Sequence, residues 1–267
     1  MYTDYYGLGF NPFEKKYART SDCFRSHDFQ QAMHGMNYVR LHPGIGIFTA
    51  RPGMGKSFVL RCFVDGLKPG TYTIASICLT SVSVRDFYRL VCDALGLDES
   101  GSIPAMYKAI QEQAAYLYRE KKQPLILIVD ECHFLAEGIL RDLQLLMNAE
   151  YDSVNYFSLI LSGESYFNSV IRKSRNESLK QRVIAHYDYE GLSDEEVTQY
   201  VKHKIACAGA TTAIMEESAF AALLGQAEGT PRIIDNIMTD ALIIGEQQGK
   251  KQIDQDVILA AVENRKF

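Results

Sequence analysis

Ala50-Arg51-Pro52-Gly53-Met54-Gly55-Lys56-Ser57 is the stretch on which the rest of the chain turns. It follows a short apolar run, Gly44–Thr49, that reads as a buried strand. It leads into Ser57–Asp65, where Val59, Leu60, Phe63 and Val64 recur at helical spacing. Gly53 and Gly55 punctuate the turn between them. A Gly-x-x-x-x-Gly-Lys-Ser/Thr loop in that context aims backbone N–H groups at a phosphate, at the N-terminus of a helix. Ala50 stands at the first glycine position, and the remainder of the pattern is intact. Lys56 is then the contact to the β- and γ-phosphates and Ser57 a Mg²⁺ ligand. The nucleotide-binding set read from the loop is Pro52, Gly53, Met54, Gly55, Lys56, Ser57 and Phe58.

A second stretch supports the first. Leu125-Ile126-Leu127-Ile128-Val129 has no polar alternation, as expected of a strand covered on both faces of a parallel sheet, and it delivers Asp130-Glu131 at its C-terminal end. Ligands of open α/β sheets bind at that end. Asp130 is the expected partner of the Mg²⁺ shell, and Glu131 the group that orients and activates an attacking water. His133 follows at once and reads as a packing histidine, since no second ligand lies at useful spacing.

Outward from these motifs, strands alternate with helices. The spacing predicts a helix opened by Ser26, a strand at Thr73–Leu79, a helix over Ser83–Leu95 closed by Gly96, and a helix over Pro104–Arg119. It also predicts a helix at Ile139–Met147 and strands at Tyr156–Leu161 and Ala185–Tyr189. Only helices follow. Ser193-Asp194-Glu195-Glu196 is a capping box, Met215–Ala227 is helical, Thr230-Pro231 opens a third helix with threonine as cap, and Asp254–Glu263 is the last. The expected architecture is a parallel α/β domain over residues 1–190 and a small all-helical domain over 191–267.

Composition agrees with a soluble, cytoplasmic protein: 47% hydrophobic, 23% charged, and no signal-peptide pattern at the N-terminus. No apolar run is long enough to span a bilayer, so no membrane insertion is expected. Six cysteines without a Cys-x-x-Cys pair read as reduced thiols. A net charge of -5 excludes a global basic field, so contact with nucleic acid has to come from a local patch. The most basic stretch is Ile171–Arg182, with Arg172, Lys173, Arg175, Lys180 and Arg182 against Glu177. It reads equally as a phosphate-facing strip and as a solvated face. Ser162 and Glu164, at the end of the fourth strand, are candidates to sense the γ-phosphate, with a plain turn as the equal reading. Arg182 and Arg232 are the arginines available to neutralise transition-state charge.

Taken in order, these motifs resemble AAA+ ATPases of the ExeA (general secretion pathway protein A) type and the TnsC/TniB-like transposition ATPases. The resemblance runs through Tyr5-Tyr6-Gly7-Leu8, Asn11-Pro12-Phe13, Ser26-His27, the phosphate loop, Asp130-Glu131, Leu179-Lys180-Gln181-Arg182 and Gly229-Thr230-Pro231-Arg232-Ile233-Ile234. It implies a P-loop AAA+ domain with a helical lid, ATP and Mg²⁺ as ligands, and ATP hydrolysis. It also implies Arg232 as the sensor-2 arginine, Arg182 as an arginine finger toward a neighbouring subunit, and Phe13 and His27 near the adenine. Glu164 departs from the glutamine that relatives often carry there. The expected partners are further copies of the chain in an ATP-dependent ring or filament, duplex DNA, and a transposase. The function expected is a transposition regulator or target-selection helper. The alternative is an ExeA-like factor assisting assembly of a secretion or envelope complex. The chain ends at Phe267 without the membrane and cell-wall-binding segments common in that class, which favours the first expectation. A nucleotide switch without turnover is a third reading, opposed by Glu131.

Overall fold

The computed structural model describes residues 2–78, 81–148, 154–210 and 213–265. Two compact units emerge. One comprises Gln31–Pro52 and Lys56–Tyr189, the other Met1–Gln30, Gly53–Gly55 and Glu190–Phe267.

The first unit is a five-stranded, wholly parallel sheet flanked by helices. Its strands are β1 (Ile45–Ala50), β2 (Thr73–Cys78), β3 (Leu125–Asp130), β4 (Phe157–Glu164) and β5 (Val183–Asp188), in the order β2-β3-β4-β1-β5. The expected end of β2 at Leu79 lies outside the described residues. The three inner strands are buried almost without interruption, which is why their sequences show no alternation. The fifth strand starts two residues earlier than its apolar pattern suggested. It lies at the sheet's edge, and its burial alternates residue by residue. Because β4 inserts between β1 and β3, the order reverses there and the C-terminal ends of all three come together.

Local chemistry sets the helix ends. After a first short helix, α1 (Tyr2–Tyr5), Ser26 Oγ accepts from the N–H of Phe29 at the start of α2 (His27–Leu41). The phosphate loop opens α3 (Lys56–Asp65). Ser83 caps α4 (Val84–Leu95), which closes on left-handed Gly96. The next helix, α5 (Ile103–Tyr116), stops short of the predicted Arg119. The chain widens there into a π turn over Leu117–Lys121 and leaves it through left-handed Lys122. Then come α6 (Glu137–Leu146), α7 (Phe167–Ile171) and α8 (Glu177–Lys180).

The second unit is helical. It holds α9 (Asp194–Cys207), α10 (Glu217–Ala227), α11 (Pro231–Gln247) and α12 (Gln255–Glu263). The capping box at Ser193 and Glu196 forms in full. Thr230 precedes α11, but its side chain makes no capping hydrogen bond; it is buried instead. The N-terminal residues, assigned from sequence to the α/β domain, cluster with this unit. Tyr6, Leu8 and Phe13 join a core with Leu242, Val257 and Ile258. Burying three large apolar side chains outweighs sequence proximity to β1.

Candidate nucleotide site

The C-terminal ends of β1, β3 and β4 assemble a compact set of polar groups. Asp130, at the end of β3, accepts one serine hydroxyl on each oxygen and the N–H of Glu131 on Oδ1. Ser57 Oγ donates at 3.0 Å and Ser162 Oγ at 2.8 Å. One carboxylate thus ties the start of α3 to the tip of β4. Ser162 is fully buried, so its hydroxyl is committed to holding Asp130. The two sensing candidates therefore separate: Ser162 orients Asp130, while Glu164 keeps its carboxylate partly open to solvent.

Lys56 is buried, and its ammonium donates to the carbonyls of Ala50 at 3.1 Å and Arg51 at 3.4 Å. Burial pushes its pKa below the usual lysine value, while the carboxylates of Glu131, Asp130 and Glu164 pull it back up. A partly desolvated cation whose near neighbours are loop carbonyls is relieved by an arriving anion. That is the observation by which the loop fits a phosphate. The oxygen pair of Ser57 and Asp130 likewise suits Mg²⁺, which takes hard oxygen donors and few protein ligands.

Glu131 occupies the left-handed region (φ 55°), one of three non-glycine residues among those described to do so. The turn it makes carries the chain into Cys132–Phe134 and back under β4. Gly163 allows that approach, since a Cβ there would stand 2.7 Å from Cys132 Sγ and 3.1 Å from the His133 nitrogen. Burial raises the Cys132 thiol well above its ordinary value, which keeps it protonated and inert.

His133 is a packing residue, as its sequence reading expects, lying against Phe134 and Tyr166, and it also makes polar contacts. Its side chain is 5% exposed and lies between two carboxylates. The N–H of Glu164 donates to its Nδ1 at 3.2 Å, the same nitrogen is 3.4 Å from Glu131 Oε2, and Nε2 is 3.9 Å from Glu164 Oε1. No sequence spacing signals this contact, because Glu164 lies on another strand.

The remaining candidates fall elsewhere. Arg182 precedes β5, and its carbonyl accepts from the N–H of Ile45, the first residue of β1. It therefore lies at the N-terminal edge of the sheet, a strand length of ~20 Å from the carboxylates of its own chain. Of the basic stretch around it, Arg175 and Lys173 approach Glu137 of α6 at 2.6 and 4.0 Å, and Lys180 pairs with Glu177. Glu137 is distant in sequence, so the strip is less basic than its composition suggested.

In the helical unit, Arg232 is exposed in the first turn of α11. Its N–H donates to the carbonyl of Gly53, and a Cβ on Gly53 would meet the Arg232 Cβ at 2.9 Å. Gly229 before it has φ +65°, and a Cβ there would overlap the Leu192 carbonyl oxygen, so only glycine fits. Met54 is buried, and Gly55 and Pro52 complete the loop. Phe58 stacks under the Arg61 guanidinium in α3. Phe13 is buried in the core, with the Lys204 ammonium over its ring. His27 is exposed at the start of α2, where its N–H donates to Glu196 Oε1 at 2.6 Å.

Known proteins agree with this architecture. Residues 39–171 match the AAA domain family. General secretion pathway protein A of Aeromonas hydrophila is 30% identical over 98% of this chain. The chain spans about half that relative's length, 48%. Among solved structures, Cdc6p of Pyrobaculum aerophilum superposes with a TM-score of 0.71 at 17% identity, covering 96% of this chain and 71% of its own. The ORC1 protein of Aeropyrum pernix gives 0.68 at 12% identity, covering 95% and 68%. The RuvB Holliday junction branch migration motor of Thermotoga maritima gives 0.60 at 14%, covering 89% and 68%. At such identities the structural likenesses speak for the fold alone. Strand order, phosphate loop and paired carboxylates agree with these matches: the chain has the P-loop AAA+ fold, residues 39–171 match the AAA domain family, and nearly the whole chain is similar to general secretion pathway protein A.

Proposed function

We propose that this chain binds ATP with Mg²⁺ and hydrolyses it. The carrying observation is the Asp130 carboxylate held between Ser57 and Ser162 with Glu131 adjacent. In this reading the loop N–H groups and Lys56 hold the phosphates, and Ser57 and Asp130 hold the cation. Mg²⁺, when bound, neutralises charge on the phosphate oxygens. Glu131 accepts a hydrogen bond from the attacking water and takes its proton as the water oxygen bonds to the γ-phosphorus and the bond from that phosphorus to the bridging oxygen breaks, releasing ADP and phosphate. Glu164 contributes to sensing at the tip of β4, and Arg232 keeps its assignment as the sensor-2 arginine. Phe13 and His27 remain assigned to the adenine side. The test is phosphate release from ATP, with fluorescent-nucleotide binding in parallel. Lys56→Ala is expected to weaken binding and abolish release. Wild-type rates in that variant, or no release by the wild type, would sink the reading.

The same proposal has the chain self-associating when ATP is bound, with Arg182 acting on a neighbour's nucleotide. Its remoteness from its own carboxylates supports a role in trans. For the target of the assembly, duplex DNA and a transposase remain the first reading, resting on the segment Ile171–Arg182. Its partial neutralisation by Glu137 reduces the charge available. The relationship to general secretion pathway protein A supports the second reading, assembly of a secretion or envelope complex. No helix among the described residues is long and apolar enough to cross a membrane. Duplex DNA binding measured with an ATP analogue at rising salt separates the two. Binding that weakens steeply with salt supports the DNA reading, and no binding at low salt removes it.

A further inference from the structure

We infer that His133 is a positioning residue for hydrolysis, holding the Glu131 carboxylate in register with the tip of β4. The inference rests on the reading of Glu131 as the base. A neutral imidazole has one in-plane lone pair, on whichever nitrogen lacks the proton. Here Nδ1 faces both the N–H of Glu164 and Oε2 of Glu131, and it cannot serve both. If Nδ1 carried the proton, it would donate to Glu131, and the part-buried N–H of Glu164 would lose its acceptor. An unmade hydrogen bond of that kind is costly, so the fold selects the other tautomer. Nδ1 then accepts from Glu164, and the Nε2 proton faces the Glu164 carboxylate.

Two consequences follow for Glu131. Its carboxylate receives no hydrogen bond from the imidazole, so its lone pairs stay available for water. Its swing is also limited, because the ring stands 3.4 Å away and is itself immobilised. Tyr166 packs edge-on against that ring at 5.4 Å between centroids and donates its hydroxyl to the His133 carbonyl at 3.1 Å; Phe134 covers it at 4.2 Å. Any shift of the β4 tip, which also carries Ser162, therefore moves the ring through its Nδ1, and with it the wall against which the Glu131 carboxylate stands. His133 touches neither phosphate nor water in this role.

The test is steady-state ATP hydrolysis by the full chain carrying His133→Ala, His133→Asn or His133→Gln, with Glu131→Gln alongside. Asparagine sets an amide oxygen near the place of Nδ1 and restores the acceptor for Glu164. Glutamine sets its amide one bond further out and does not. Alanine is expected to lower kcat about 10- to 100-fold with KM for ATP within about twofold. Asparagine should recover most of the loss and glutamine little. The inference is overturned if alanine leaves kcat within twofold, if KM rises in step with the loss, or if glutamine rescues as well as asparagine. Should the alanine variant fail to fold by thermal unfolding, the asparagine–glutamine contrast decides. An inactive Glu131→Gln beside an unimpaired His133→Ala overturns this inference alone. A fully active Glu131→Gln overturns the underlying reading and this inference with it.

Discussion

Glu131 pays a conformational cost to stand where it does. A left-handed backbone at a non-glycine residue costs on the order of 1 kcal/mol, and such residues persist where their surroundings over-determine them. Here the surroundings are Asp130, whose Oδ1 accepts the Glu131 N–H at 3.0 Å, and His133. Replacing the carboxylate by an amide leaves that backbone untouched and removes only the proton acceptor. Glu131→Gln should therefore bind ATP within a few-fold of wild type while kcat falls ~10²-fold or more. Nucleotide titration and phosphate release measure the two separately. Gly163 offers a steric test at the same turn. Gly163→Ala drives a methyl group toward Cys132 Sγ and the His133 nitrogen, at a cost of about 1–3 kcal/mol. A lower denaturation midpoint together with reduced turnover is expected. An unchanged midpoint would mean that the turn after β3 yields freely.

Helices α9 and α11 are joined by a cluster that apolar periodicity cannot reveal. Lys204 donates to both oxygens of Asp235 at 2.7 and 2.8 Å, and Tyr200 donates to the same carboxylate at 2.9 Å. The two charged side chains are only 16% and 22% exposed. Burial pushes the Asp235 carboxyl above its ordinary range, and Lys204 and Tyr200 pull it back. Thr239 donates to the Asp235 carbonyl and accepts from Asn11, so the cluster also anchors the N-terminal segment to α11. Lys204→Met removes the main opposition to burial and should cost roughly 2 kcal/mol near neutrality, less than a fully buried pair. The folded-state pKa of Asp235 then rises further above the unfolded value of about 4. The folded state holds the extra proton, so stability is retained at low pH and falls as pH rises through the raised value. Urea unfolding should show a larger deficit at about pH 8 than at about pH 5. An equal deficit at both would exclude a buried carboxylate as the cause.

For the molecule as a whole, Arg182 lies at the N-terminal ends of the strands and the carboxylates lie at their C-terminal ends. A head-to-tail assembly would bring the arginine of one copy to the carboxylates of the next, a heterologous contact that closes into a ring or runs on as a filament. Arg182→Ala should bind ATP normally and lose ~10³-fold in turnover. Mixed with Lys56→Ala, which lacks the phosphate contact and keeps the arginine, it should regain measurable hydrolysis, since some interfaces then combine an intact site with an intact finger. Failure of the mixture to exceed either variant alone would count against action in trans. Analytical ultracentrifugation with an ATP analogue reports whether the copies associate at all.

Much of this is legible in the chain itself. Apolar runs without alternation located β1, β3 and most of β4, because an interior parallel strand has no solvent face to mark. Capping chemistry marked the end of α4 at Gly96 and the start of α9 at Ser193, because a helix end must satisfy its own backbone groups locally. The loop and Asp130-Glu131 were readable because their chemistry is contiguous in the chain. Tertiary packing alone decided the rest. Ser162 became the partner of Asp130, Glu137 neutralised Lys173 and Arg175, and Tyr6, Leu8 and Phe13 joined the helical core. His133 packs as expected, and the fold also sets it between two carboxylates. Each of these depends on residues 20 or more positions apart meeting across the fold, and spacing within a strand or helix carries no record of such a meeting.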